Sequence, residues 1–165
     1  MFINKLLKFL MLLLLAGCVS KSIDYPTVKN FDFNKYSGTW YEMARYDHSF
    51  ERGMEKVTAS YSLKENGKIS VLNRGFLPEK NKWKEARGTA YVKSPGYLRV
   101  SFFGPFYGDY KVLYLDESYT KAIVGSSSKK YLWILVRKPG ISIKDLVDRA
   151  EEIGYDTSKL IYVKQ

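Results

Sequence analysis

From Gly38 onward the chain consists of short stretches of alternating polar and apolar residues, separated at close intervals by turn signals. Val57-Thr58-Ala59-Ser60-Tyr61-Ser62-Leu63 alternates strictly, the pattern of a strand with one face buried and one wet. Glu65-Asn66-Gly67-Lys68 follows, and Asn-Gly is the strongest short hairpin signal, because a two-residue primed turn needs φ > 0 at both central residues. Ile69 to Phe76 returns as the partner strand. The same reading places strands at Thr39–Tyr46, Lys84–Val92, Tyr97–Phe103, Gly108–Leu115, Thr120–Val124 and Tyr131–Arg137, eight in all. The period then changes. Ile143, Leu146, Val147 and Ala150 fall at helical spacing within 141–153, with Ser142 as the expected N-cap, Asp145 in the first turn and Gly154 after the end. Leu160 to Val163 can add a short last strand. Regularly spaced short strands imply a sandwich or a barrel, and an eight-stranded up-and-down barrel leaves no free edge.

The first residues belong to a different kind of segment. Lys5 and Lys8 are basic, Phe9 to Leu15 is uncharged and apolar, and Ala16-Gly17-Cys18 follows. Such a run is too short to span a bilayer, which needs roughly 20 apolar residues, and has the form of a secretory signal. Leu15-Ala16-Gly17-Cys18 resembles the bacterial lipobox. That resemblance implies cleavage before Cys18, a diacylglycerol on its sulfur and an acylated new N-terminus. Cys18 is the only cysteine, so lipidation also accounts for an otherwise unpaired thiol in an exported protein. Val19 stands where Asp would favour inner-membrane retention in enterobacteria, so the resemblance points to the outer membrane, facing the periplasm. The organisation read from the chain is therefore a signal peptide at 1–17, a lipidated tether at 18–30 and one domain at 31–165. Removing the first 17 residues leaves 148, enough for one compact domain, and takes Lys5 and Lys8 with it, lowering the formal charge from +10 to +8. An exported protein rarely meets nucleic acid, so the charge reads either as attraction to anionic lipid head groups or as a solvated basic surface with no partner.

Three separated segments resemble the lipocalin signatures. Asn34-Lys35-Tyr36-Ser37-Gly38-Thr39-Trp40 carries Gly-x-Trp. Leu115-Asp116-Glu117-Ser118-Tyr119 matches Thr-Asp-x-x-Tyr, with Leu115 in place of Thr. Arg137 stands just after the last strand. The stretches around Trp40-Tyr41-Glu42-Met43-Ala44-Arg45 and Val100-Ser101-Phe102-Phe103-Gly104-Pro105 resemble the branch of that family containing bacterial outer-membrane lipoproteins and their animal relatives. The resemblance implies an all-β fold: an eight-stranded antiparallel barrel with one C-terminal α-helix packed outside. It also implies a carrier of fatty acids or lysophospholipids without a cofactor. In the family Gly38, Trp40, Asp116, Tyr119 and Arg137 are structural, with Trp40 plugging the closed end and Arg137 laid over its indole.

Alternation then assigns an inward set. Trp40 inward puts Glu42, Ala44 and Tyr46 inward, and Ala59 and Tyr61 follow on the next strand. Val71 and Asn73 share the face of Ile69; Leu98, Val100 and Phe102 share one face; so do Trp133, Leu135 and Arg137. Tyr61, Tyr107 and Trp133 match interior positions of relatives, although the Gly104–Gly108 entry to the sixth strand invites a bulge that would alter its parity. The expected ligand-binding residues are thus Tyr46, Ala59, Tyr61, Val71, Asn73, Leu98, Val100, Phe102, Tyr107, Trp133 and Leu135. Neither a metal cluster nor a catalytic triad is recognisable, and Glu51 with Glu55 forms at most a pair of carboxylates at the mouth. The chain reads as a binding protein, not an enzyme. Two other readings stay open: an interaction protein with a filled barrel, and a haem or siderophore carrier using His48, the only histidine. Homodimerisation is compatible with the sequence.

Overall fold

The computed structural model describes residues 26–165, so the signal segment and Cys18 lie outside the described residues. The sheet contains β1 (Gly38–Arg45), β2 (Glu55–Leu63), β3 (Ile69–Leu77), β4 (Lys82–Ser94) and β5 (Tyr97–Phe103). It continues with β6 (Phe106–Leu115), β7 (Lys121–Gly125), β8 (Leu132–Val136) and the two-residue β9 (Ile161–Tyr162). From β1 to β8 each strand pairs antiparallel with the next, and β1 also pairs with β8, which closes the barrel. β9 adds to β1 through Ala44↔Tyr162 and Arg45↔Ile161. A four-residue helix α1 (Phe33–Tyr36) precedes β1, and α2 (Lys144–Glu152) packs outside.

The barrel therefore has two apolar compartments. Inside, Trp40, Tyr61, Val71, Leu98, Val112, Val124 and Leu135 share one cluster. Outside, Leu146 and Ala150 of α2 bury against Ile123, Leu132, Ile134 and Val136. This second cluster explains why β7 and β8 are nearly continuous apolar runs: the helix covers their outer face while the barrel interior covers the other.

Two local expectations change. The β2–β3 connection does not use a two-residue primed turn. Gly67 N–H donates to the Lys64 carbonyl at 2.9 Å, and among these residues Gly67 alone, at φ 75°, takes positive φ. That is a type I turn followed by a left-handed glycine, the longer hairpin solution. The helix also starts later than its sequence pattern. Ile143 is the N-cap, and Ser142 Oγ accepts only a long 3.4 Å bond from the Lys144 amide. At the other end, Thr27 Oγ1 donates to the Pro95 carbonyl (2.7 Å) and the Val28 amide to the Val112 carbonyl (3.0 Å). The chain is thus bonded to the barrel four residues before the expected domain start.

Candidate functional site

One end of the barrel is sealed by the signature residues. Trp40 is fully buried, and its indole N–H donates to the Tyr36 carbonyl at 2.8 Å. The Arg137 guanidinium lies 4.0 Å from the indole centroid and donates to the carbonyls of Lys35, Tyr36, Ser37, Thr39 and Tyr119 at 2.8–3.2 Å. A cation over an indole face is favourable, and here the same cation satisfies chain ends that α1 and β1 leave unpaired. Gly38 takes φ 93°, and a Cβ there would stand 3.3 Å from that guanidinium, so both conformation and space call for glycine. Asp116 accepts from the Thr120 and Lys121 amides at 2.6 and 2.7 Å, and the Tyr119 hydroxyl accepts from the Asp32 amide. All five residues make these contacts at the sealed end.

Above this seal is a hollow of about 680 Å³ that opens at the opposite end of the barrel. A side recess of about 220 Å³ continues it past Met54 and Gly75. Eight of the expected residues line the main hollow: Ala59, Tyr61, Val71 and Asn73, and across from them Val100, Phe102, Trp133 and Leu135. Pairing accounts for the shared face, since Ala59 sits opposite Asn73 and Tyr61 opposite Val71. Leu98 also points inward, but it is fully buried beside Val112 and Trp40, beneath the space.

Two expected residues lie elsewhere. A bulge between Glu42 and Ala44 inverts the parity of β1, so Ala44 turns out against α2 and Arg45 turns in. Tyr46 consequently lies outside. Its hydroxyl donates to the Asp156 carbonyl (3.1 Å), and its ring meets Tyr155 edge-on. On β6, Gly108 pairs with Val100 and faces the hollow, which sends its neighbour Tyr107 outward onto Tyr91. On β1 alternation fails because the bulge adds a residue that β8 does not count, whereas on β6 Phe106, Gly108 and Tyr110 alternate into the hollow without a break, so Tyr107, placed inward from the resemblance, faces out.

The floor of the hollow is a chain of phenols. Tyr61 donates to the Tyr110 hydroxyl at 2.9 Å, and the hydroxyls of Tyr110 and Tyr36 are 2.6 Å apart. Burial raises all three pKa values and keeps the phenols neutral. Asn73 Oδ1 is a buried acceptor with no partner among the described residues.

Toward the mouth sits a buried ionic cluster that the sequence reading missed. Arg45 Nη1 donates to Glu42 Oε1 at 2.7 Å, and Nη2 donates to the Glu51 carbonyl at 2.7 Å. Glu51 Oε2 accepts from the Trp133 indole at 3.2 Å and lies 2.9 Å from His48 Nε2. His48 is buried and stacks on Phe50 at 3.9 Å. Burial first, and then the neighbouring Glu51 carboxylate, push the Glu42 pKa well above the ordinary carboxylate range, against the pull of Arg45. Glu42 was assigned inward from alternation, but its partner carboxylate is Glu51; Glu55 does not line the hollow. Only the bulge brings Arg45 into this set. Among the described residues no group of three His, Cys, Asp or Glu is placed to hold a metal ion.

A family model described as a lipocalin-like domain matches residues 31–165. The outer membrane lipoprotein Blc of Vibrio cholerae is 48% identical over 159 residues, covering 92% of this chain and 93% of that protein. Blc of Escherichia coli K12 is 48% identical over 84% of this chain and 81% of its own length. Mouse apolipoprotein D is 36% identical over 85% and 80%. Among solved structures, insecticyanin from the tobacco hornworm Manduca sexta matches with a TM-score of 0.70 at 22% identity, covering 86% of this chain and 85% of that one.

Proposed function

This chain belongs to the lipocalin-like family, and from that premise we propose that it is an outer-membrane lipoprotein that carries long-chain fatty acids or lysophospholipids within the cell envelope. The observation that carries the reading is the open hollow of about 680 Å³, walled by Tyr61, Val100, Phe102, Trp133 and Leu135 with few polar atoms. That volume lies in the range of small-molecule sites, and an apolar wall with sparse polar groups suits an acyl chain with one polar end. Burying a methylene contributes about 0.8 kcal/mol, so a long tail offers roughly 10 kcal/mol before ordering costs. Micromolar affinity needs about 8 kcal/mol. The phenol chain, the Asn73 carbonyl and the Glu42–Arg45–Glu51 set are the polar groups available to a head group. Lipidation at Cys18 and sorting to the outer membrane agree with the relatives named outer membrane lipoprotein Blc.

The space inside argues against a filled barrel serving only as an interaction module. Haem ligation by His48 is disfavoured, because its Nε2 already faces the Glu51 carboxylate. A binding role without catalysis is the reading the apolar hollow supports.

Native mass spectrometry of the mature protein, extracted without added lipid, tests the carrier role. A co-purified acyl lipid, with micromolar binding restored after delipidation, is the expected result. An empty barrel that refuses every single-chain amphiphile would remove the proposal. Cys18→Ser should release the protein from membranes, and retention of that variant in the membrane fraction would remove the anchor.

A further inference from the structure

We propose that the open mouth is a docking face for an anionic bilayer other than the one that holds the protein's own lipid; this rests on the carrier reading above. Phe103 and Phe106 face each other across the two-residue turn Gly104–Pro105 and border the hollow. They are 82% and 79% exposed, the most exposed large apolar side chains among the described residues. No charged residue lies between Val100 and Gly108. Water is a poor solvent for such a tip, whereas the edge of a bilayer is a good one.

Beside it stands a basic hairpin. β4 pairs with β5 only from Thr89 onward, so its first residues project past the β5 end at the mouth. The hairpin exposes Lys80, Lys82, Lys84 and Arg87 against Glu79 and Glu85, with Trp83 42% exposed among them. Lysines flanking aromatic rings match an interface where anionic head groups lie over acyl chains.

The tether fixes which bilayer is met. Thr27 and Val28 are bonded at the sealed end, beside Pro95 and Val112. Only eight residues lie between Cys18 and Thr27, nine steps with a reach of about 30 Å when fully extended. The 13 residues of β4, tilted as barrel strands are, span roughly 33 Å along the barrel axis. The tether cannot fold back along the wall and seat the mouth on its own membrane, so the mouth faces away.

The test uses the mature, lipidated chain reconstituted in phosphatidylcholine vesicles, with insertion checked by flotation, and offers it protein-free vesicles of phosphatidylglycerol. Capture of the second population is expected, together with its loss in high salt. Phe103→Ser with Phe106→Ser, and separately Lys80→Glu with Lys82→Glu, should each reduce capture by about tenfold or more. The lysine pair should keep acyl-chain affinity in solution unchanged. No capture, capture insensitive to both pairs, or equal capture of neutral vesicles would overturn the proposal. Capture persisting in a protein that binds no acyl chain would remove the carrier reading and leave docking standing; acyl-chain binding without capture would do the reverse.

Discussion

The two ends of this barrel solve the problem of buried polarity in opposite ways. At the sealed end, one guanidinium serves five backbone carbonyls and an indole face, and one carboxylate serves a turn. At the open end, two carboxylates, an arginine and a histidine are buried in a partly shared set, a neighbouring Asn73 oxygen has no partner among the described residues, and two phenylalanines face water. A protein with no use for its mouth would gain by closing it as it closes its base. The difference places the contacts that close the fold at one end and, in the proposed function, the ligand at the other.

The largest expected effect separates the two ends. Trp40→Ala should cost about 4 kcal/mol, the range for removing a fully buried tryptophan, and be read as a fall in the urea midpoint. Arg137→Ala should follow at about 3 kcal/mol, because it removes the cation over the indole and leaves several carbonyls unpaired. In a domain of this size that is a fall in Tm of roughly 10 °C. Acyl-chain affinity of either variant, measured where it is still folded, should change little. A large loss of affinity at unchanged Tm would break the comparison.

The converse is expected at the mouth. Trp133→Ala should weaken acyl-chain binding about tenfold to a hundredfold, the scale of one buried aromatic contact, with a smaller loss of stability than at Trp40. Unchanged affinity would show that the ligand does not touch this wall.

The smallest effect concerns pH. Glu42 binds its proton more tightly folded than unfolded, since burial and Glu51 raise its pKa. Between the two pKa values the folded state holds more protons, so this residue's contribution to stability falls as pH rises from the ordinary carboxylate range through its raised value. Glu51→Gln removes a cause of the shift and should flatten that slope in urea midpoints measured across pH. An unchanged slope would mean that the two carboxylates are not coupled.

How much of this was legible in the sequence divides along the same line. The sealed end was legible through the resemblance alone, which singled out Gly38, Trp40, Asp116, Tyr119 and Arg137; alternation by itself does not mark them. The walls were legible too: Ala59, Tyr61, Val71, Asn73, Trp133 and Leu135 keep parity along their strands, and Val100 and Phe102 both reach the hollow although β5 shifts register after Val100. Tyr107 was placed inward from the resemblance, and the alternation of Phe106, Gly108 and Tyr110 turns it out; Tyr46 escaped because a bulge in β1 shifts parity. Arg45 was missed for the same reason. A charged residue at the end of a strand reads as solvent-facing unless its partners, Glu42 and the Glu51 carbonyl, are known to be near in space. The exposure of Phe103 and Phe106 was equally hidden, since two aromatics at a turn read as core until the turn is seen to project.

The central claim is that the hollow receives an acyl chain, and a calorimetric titration of delipidated protein with fatty acids of increasing length tests it most directly. Affinity should climb about fourfold with each added methylene until the tail fills the space down to Tyr61 and Tyr110, and then level off. An affinity that ignores chain length from the shortest acid onward would contradict it.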